Sequence, residues 1–189
     1  MNVLIIPEDF RNDQYILKPL FDALLASLGK PRAKVIVCTA PLLRGVTEAL
    51  KTERIDEIVD RYPMIDLFLL CVDRDGLVGR RTRLDAIEHQ YAGRVSFLAE
   101  NAWEELETWA LAGLTLLPGW TWANVRAAVS VKEDYFHPLA IHRKVADGPG
   151  RGRKALGIQA AKRLGAIRVK CPEDFDSLAN RIAAVIAER

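Results

Sequence analysis

The chain has 189 residues, half of them apolar, and its 27 basic and 25 acidic side chains leave a formal net charge of +2. That length suits one domain with a small appendage, and so balanced a charge excludes general nucleic-acid binding by bulk attraction, so only local basic clusters could serve. The cysteines (Cys38, Cys71 and Cys171) lie too far apart for a disulfide or zinc framework; no apolar run reaches membrane-spanning length, and acidic residues directly after the first apolar run exclude a signal peptide, so a soluble cytoplasmic protein is expected.

Val3 to Pro7 reads as a short buried strand that ends at Glu8 and Asp9. A helical spacing follows in Ile16, Leu17, Leu20, Phe21, Leu24, Leu25 and Leu28, with Asn12 or Asp13 as cap and Gly29 as stop. Pro19 lies inside this pattern, which predicts a kink there or a helix that begins just before it. Lys34 to Cys38 is a second strand, and residues 46–61 carry a weaker amphipathic helix stopped by Pro63. The apolar run 65–72 then stops abruptly at Asp73-Arg74-Asp75-Gly76, as a fully buried parallel strand does. A basic helix over 78–91, a strand over 95–99 ending at Glu100, and a helix from Asn101 to about Leu111 complete four strand–helix units.

That order predicts an α/β fold: a Rossmann-like parallel sheet of about four strands flanked by helices, with right-handed crossovers. Beyond Leu117 only helical patterns remain, over roughly 121–127, 132–145, 154–166 and 173–188, with a loop from Asp147 to Arg153. The expected division is a core over 1–115 and a helical extension over 116–189 packed on it as part of the same domain.

Carboxylates stand at three strand ends: Glu8, the pair Asp73 and Asp75, and Glu100. If the strand order is 2-1-3-4, the first and third strands are neighbours with crossovers on opposite faces, which opens a crevice where Glu8 faces the two aspartates. Hard oxygen ligands gathered this way suit Mg²⁺ or Mn²⁺; the competing reading is that these acids cap the helices that follow. Arg80, Arg81 and Arg83 follow the Asp-x-Asp loop, and Arg151, Arg153 and Lys154 enrich the later one, either as phosphate contacts or as solvated surface. The segment ending at Lys154 is not a nucleotide-binding P-loop, because Arg153 precedes the lysine and Ala155 follows it. His89, His137 and His142 have no zinc spacing. A receiver-like domain shares the acid cluster but ends on a fifth strand, which this sequence lacks.

Glu8 after the first strand and Asp73-Arg74-Asp75-Gly76 after the third resemble the Toprim domain. The likeness continues in Glu105-Leu106-Glu107-Thr108-Trp109, in Lys154 opening a helix, and in Cys171-Pro172-Glu173-Asp174-Phe175, and it is greatest to a small Toprim-related family associated with phage defence and mobile elements. Toprim domains place Gly directly after the first Glu with an Asp a few residues on, whereas Asp9 follows Glu8 here and Asp13 lies farther along. The resemblance implies metal-dependent cleavage of phosphodiesters. Asp73 and Asp75 would hold one Mg²⁺, Glu8 would ligate metal or act as general base, and one of Glu100, Glu105 and Glu107 would complete a second site. Lys154 would add charge at the phosphate, and DNA or RNA would be the partner. It also leaves open a non-catalytic metal- or nucleic-acid-binding module that acts beside an ATPase or defence protein. Glu105 and Glu107 are two apart and do not share a helix face, so only one points at a metal. Trp103, Leu106 and Trp109 read as core.

Overall fold

The computed structural model describes residues 1–188. Four strands, β1 (Asn2–Pro7), β2 (Lys34–Val37), β3 (Leu67–Asp73) and β4 (Phe97–Ala102), form one parallel sheet in the order β2-β1-β3-β4. The expected α/β class is therefore the observed one. Ten helices connect or cover the strands: α1 (Phe10–Ser27), α2 (Val46–Ala49), α3 (Thr52–Arg61), α4 (Arg80–Tyr91), α5 (Glu107–Gly113), α6 (Trp122–Ala127), α7 (His137–His142), α8 (Arg153–Ala161), α9 (Leu164–Lys170) and α10 (Ser177–Ala187). A π-helical turn precedes α7 at Lys132–Phe136, and another precedes α10 at Pro172–Asp176.

Alternation along the strands divides the core in two. Val3, Ile5, Leu67, Leu69 and Cys71 pack against α1 and the helices from α5 onward. Leu4, Ile6, Phe68, Leu70 and Val72 pack against α2, α3 and α4. The crossover from β1 thus lies on one face and the crossover into β3 on the other, so the chain reverses its winding between these neighbours. Parallel α/β sheets form their ligand crevice at such a point.

Two boundaries depart from the sequence pattern in ways that matter for the site. The strand expected over 95–99 continues to Ala102, because Glu100, Asn101 and Ala102 pair with Cys71, Val72 and Asp73. The helix expected from Asn101 consequently begins only at Glu107. The helix expected over 46–61 is broken at Leu50 and Lys51 into α2 and α3.

Helix α1 starts at Phe10, capped by Asp9, whose side chain accepts from Arg11 N at 3.0 Å, and it runs through Pro19. Proline has no N–H for the carbonyl four residues back, which frees the Tyr15 carbonyl. Helix α8 packs there through Gly157, where an added Cβ would lie 2.2 Å from Tyr15 O. On its other flank α8 meets α5 at Gly113, where a Cβ would lie 2.7 Å from Ala160 O. Only glycine permits backbones this close.

The Cys-Pro-Glu-Asp-Phe segment and the helix carrying Trp109 are locked together. Asp174 Oδ2 accepts from Trp103 N at 2.9 Å and from Trp109 Nε1 at 3.0 Å. Phe175 lies edge-on to Trp109 with centroids 5.3 Å apart. Trp109 is fully buried, and both motifs brace the core beneath the crevice.

Candidate functional site

The register Pro7↔Cys71 carries Glu8, one residue beyond β1, to the level of the end of β3. There its carboxyl stands close enough to that of Asp73 for each to shift the other's titration. Asp73 Oδ1 also accepts from Leu106 N at 2.8 Å, which fixes its orientation. Four further acids line the same cavity, Asp9, Asp13, Glu107 and Glu133. Asp13, in the first turn of α1, accepts from Asp9 N at 3.0 Å. Glu107, the first residue of α5, is buried and bound to the guanidinium of Arg153. The cavity measures about 540 Å³ and is rimmed by Lys132, His137, Arg151 and Arg153.

Burial of like charges shifts these groups together. Glu8 is pushed up from its ordinary 4.5 to about 7, chiefly by burial and next by the charge of Asp75. Asp13 is pushed up from 3.8 to about 8, again chiefly by burial, with Glu107 and Glu8 adding repulsion. Asp73 is raised well above its ordinary range by burial and by Glu8. The Glu8–Asp73 contact therefore holds a proton near neutral pH, as two carboxyls forced together must. Glu8 Oε2 is buried and has no hydrogen-bond partner. Among the described residues no group of three or more His, Cys, Asp or Glu side chains forms a ready-made metal site. The orphaned Glu8 oxygen beside Asp73 nevertheless fits a small hard cation, which would replace the shared proton and relieve the repulsion.

The remaining candidates are placed as follows. Asp75 does not line the cavity: its backbone is left-handed (φ 53°), and its carboxylate accepts from Arg80 Nη2 at 3.3 Å. Its loop is tied to the chain after β4, where Glu104 accepts from Arg74 N at 2.8 Å through its backbone oxygen and from Gly76 N at 2.6 Å through Oε2. Glu100 does not join a metal set with Glu8. It sits within β4, buried, and its charge is met by Arg81 at 2.9 Å and by Arg181 of α10 at 2.7 Å. Glu105 lies outside the cavity too, accepting from Lys132 N at 2.5 Å and fastening the first π-turn. Glu107 is the one of the helix glutamates that enters.

The basic residues divide likewise. Arg80 and Arg81 are committed to Asp75 and to Glu100, Asp85 and Glu88 and do not line the cavity, although the charge of Arg80 still reaches Glu8. Lys154 is exposed outside it, and the neighbouring Arg153 points in. Arg151 stands at the rim, and among the described residues it makes no ion pair. Trp103 is no free stacking surface, because the guanidinium carbons of Arg74 and Arg126 lie 4.1 and 4.4 Å from its ring centroid.

Sequence reasoning did not place Asp13, Lys132 and His137 in the site. Asp13 had a local signal: it stands one helical turn after Asp9, at the start of a helix that leaves the strand end directly. Lys132 and His137 had none, since distant helices bring them to the crevice. No helix among the described residues is long and apolar enough to cross a membrane. No family model, curated protein or solved structure matches the chain, and the crevice's own chemistry is what carries a functional assignment.

Proposed function

We propose that this protein is a Mg²⁺- or Mn²⁺-dependent hydrolase of phosphodiesters, of nuclease type, on a Toprim-like sheet in a cytoplasmic setting. One observation carries the reading: two carboxyls, Glu8 and Asp73, are pressed together at the winding reversal of the sheet, with Glu8 Oε2 buried and unpartnered. Such a pair costs stability unless something positive sits beside it. Glu8 and Asp73 would hold the cation, with Asp13 and Glu107 adding negative potential around it. A bound divalent ion polarises a phosphoryl oxygen and acidifies water.

The chain's own groups supply the rest. Arg151 offers a cationic donor at the rim to phosphate oxygens in an otherwise mainly acidic crevice. Arg153, held by Glu107, keeps the inner wall fixed and its charge close to the ligand. Without the cation Glu8 is pushed up to about 7, so the cation would displace a proton from the pair as it binds. The Toprim resemblance adds DNA or RNA as substrate and an ATPase or defence protein as partner.

The test is cleavage of end-labelled DNA and RNA with Mn²⁺, comparing the parent with Asp73→Asn and Glu8→Gln, each checked for native circular dichroism. A loss of roughly 10³-fold or more in either variant is expected. Cleavage that survives both changes would sink the proposal. Mn²⁺ binding without any cleavage would point instead to a non-catalytic binding module.

A further inference from the structure

The walls of the crevice restrict what can reach its floor. Glu8 and Asp73 form the base, and the first turn of α1 stands on one side with Asp9 and Asp13. Lys132 and Phe136 of the π-turn stand on another, and Arg151 of the loop before α8 and Arg153 at the start of α8 cover part of the mouth. This cover is seated rather than loose. Gly150 and Gly152 adopt left-handed backbones (φ 64° and 88°). An added Cβ at Gly150 would lie 2.5 Å from the Tyr15 ring, and one at Gly152 would lie 3.0 Å from Ala140 Cβ. Arg153 Nη1 donates to Gly150 O at 3.0 Å, and the same guanidinium pairs with buried Glu107. The loop is therefore pinned to α1, α5 and α7, and it cannot swing aside without breaking a buried ion pair.

The space, about 540 Å³, falls within the range of small-ligand pockets. It is not the long basic groove that follows a continuous backbone. The cations are unequally available: Arg153 is committed to Glu107 and Lys132 to Glu105 and Glu133. Arg151 is left to meet an incoming phosphate, held at the mouth by a left-handed backbone (φ 54°) that only firm packing sustains in a non-glycine residue.

We propose that the crevice takes a nucleotide-sized phosphoester, free or at the end of a strand, that Arg151 anchors its phosphate, and that internal bonds of an unbroken strand do not reach Glu8 and Asp73. This rests on the phosphodiesterase reading above and narrows it. The step is hydrolysis: a water oxygen bonds to phosphorus, the ester P–O bond breaks, the leaving oxygen gains one proton, and the other is released from the attacking water.

The test uses the full chain with Mn²⁺ and three substrates: the p-nitrophenyl ester of thymidine 5′-phosphate, a linear oligonucleotide labelled at both ends, and the same oligonucleotide ligated into a covalently closed circle. Hydrolysis of the ester, or trimming of the line from a terminus, with the circle cut at least ~100-fold more slowly, is the expected outcome. Ester hydrolysis alone assigns free nucleotides, and trimming assigns strand ends. Arg151→Ala should raise KM for the accepted substrate about tenfold and affect kcat less. A circle cut as fast as the line overturns the proposal and leaves the nuclease reading standing. Failure to cleave all three overturns both.

Discussion

The crowding of acids at the crevice makes a prediction about folding that needs no substrate. Glu8 titrates near 7 in the fold and near 4.5 when unfolded. Between those values the native state holds a proton that the unfolded chain has released, so stability falls with rising pH. Below about pH 4.5 both states are protonated and no penalty exists; above about pH 7 the whole penalty applies. At 1.36 kcal/mol per pH unit this amounts to about 3 kcal/mol. Asp13, raised from 3.8 to about 8, acts in the same direction over a wider window. Glu8→Gln should therefore unfold at higher urea than the parent at pH 8, by roughly 1–3 kcal/mol after allowing for the altered contact with Asp73. The gain should vanish or reverse at pH 4.5. Mn²⁺ at saturating concentration should stabilise the parent at pH 8, by an amount that follows ligand mass action, and should do little for the variant. Equilibrium unfolding by tryptophan fluorescence, at both pH values and with Mn²⁺ or chelator, measures all four quantities. A Glu8→Gln variant equally destabilised at pH 4.5 and pH 8 would refute the reasoning, because Glu8 would then be an ordinary structural partner.

Three further outcomes follow from particular contacts. Arg153→Ala leaves Glu107 buried without its partner and should cost about 3–5 kcal/mol in urea unfolding, with most of the loss recovered when Glu107→Gln is added. Gly157→Ala would stabilise an ordinary helix by nearly 1 kcal/mol, but the approach to Tyr15 O makes it destabilising here by roughly 1–3 kcal/mol; a raised melting temperature would contradict the packing described. Glu100→Gln should leave Mn²⁺ affinity in calorimetry within about twofold while Asp73→Asn lowers it at least about tenfold, since Glu100 is bound to Arg81 and Arg181 rather than facing the crevice.

The strands were readable because buried parallel strands are short apolar runs with sharp polar ends, and Asp73 marks such an end; their order was a supposition that the structure bears out. The position of Glu100 was not readable, because the apolar run stops at Ala99 while the backbone ladder to β3 continues to Ala102. The charges that let Glu100 lie within a strand come from Arg81 and Arg181, 19 and 81 positions away, and no local pattern carries that. Of the two basic neighbours read as phosphate contacts, Arg153 lines the crevice and Lys154 faces outward, for a related reason. The phase of α8 is set by glycines seated on α1 and by the pairing of Arg153 with Glu107, both of them non-local. Asp13 was visible as a helix-start residue, but its entry into the crevice depends on α1 leaving β1 within two residues. Trp109 and Leu106, read as core, are core, whereas Trp103, read the same way, is half-buried between Arg74 and Arg126.

The junction of Pro19, the Tyr15 carbonyl and Gly157 also bears on how the chain comes off the ribosome. The flank of α1 that α8 covers is complete within the first thirty residues, but its partner is synthesised more than a hundred residues later. At 5–20 residues per second the interval is on the order of ten seconds. Throughout it, the α1 backbone at Tyr15 and Ile16 lacks its native cover while the sheet is assembling beside it. A nascent chain stalled near residue 150 should accordingly be cut readily by protease within α1 and be bound by chaperones, whereas one released at full length should resist both.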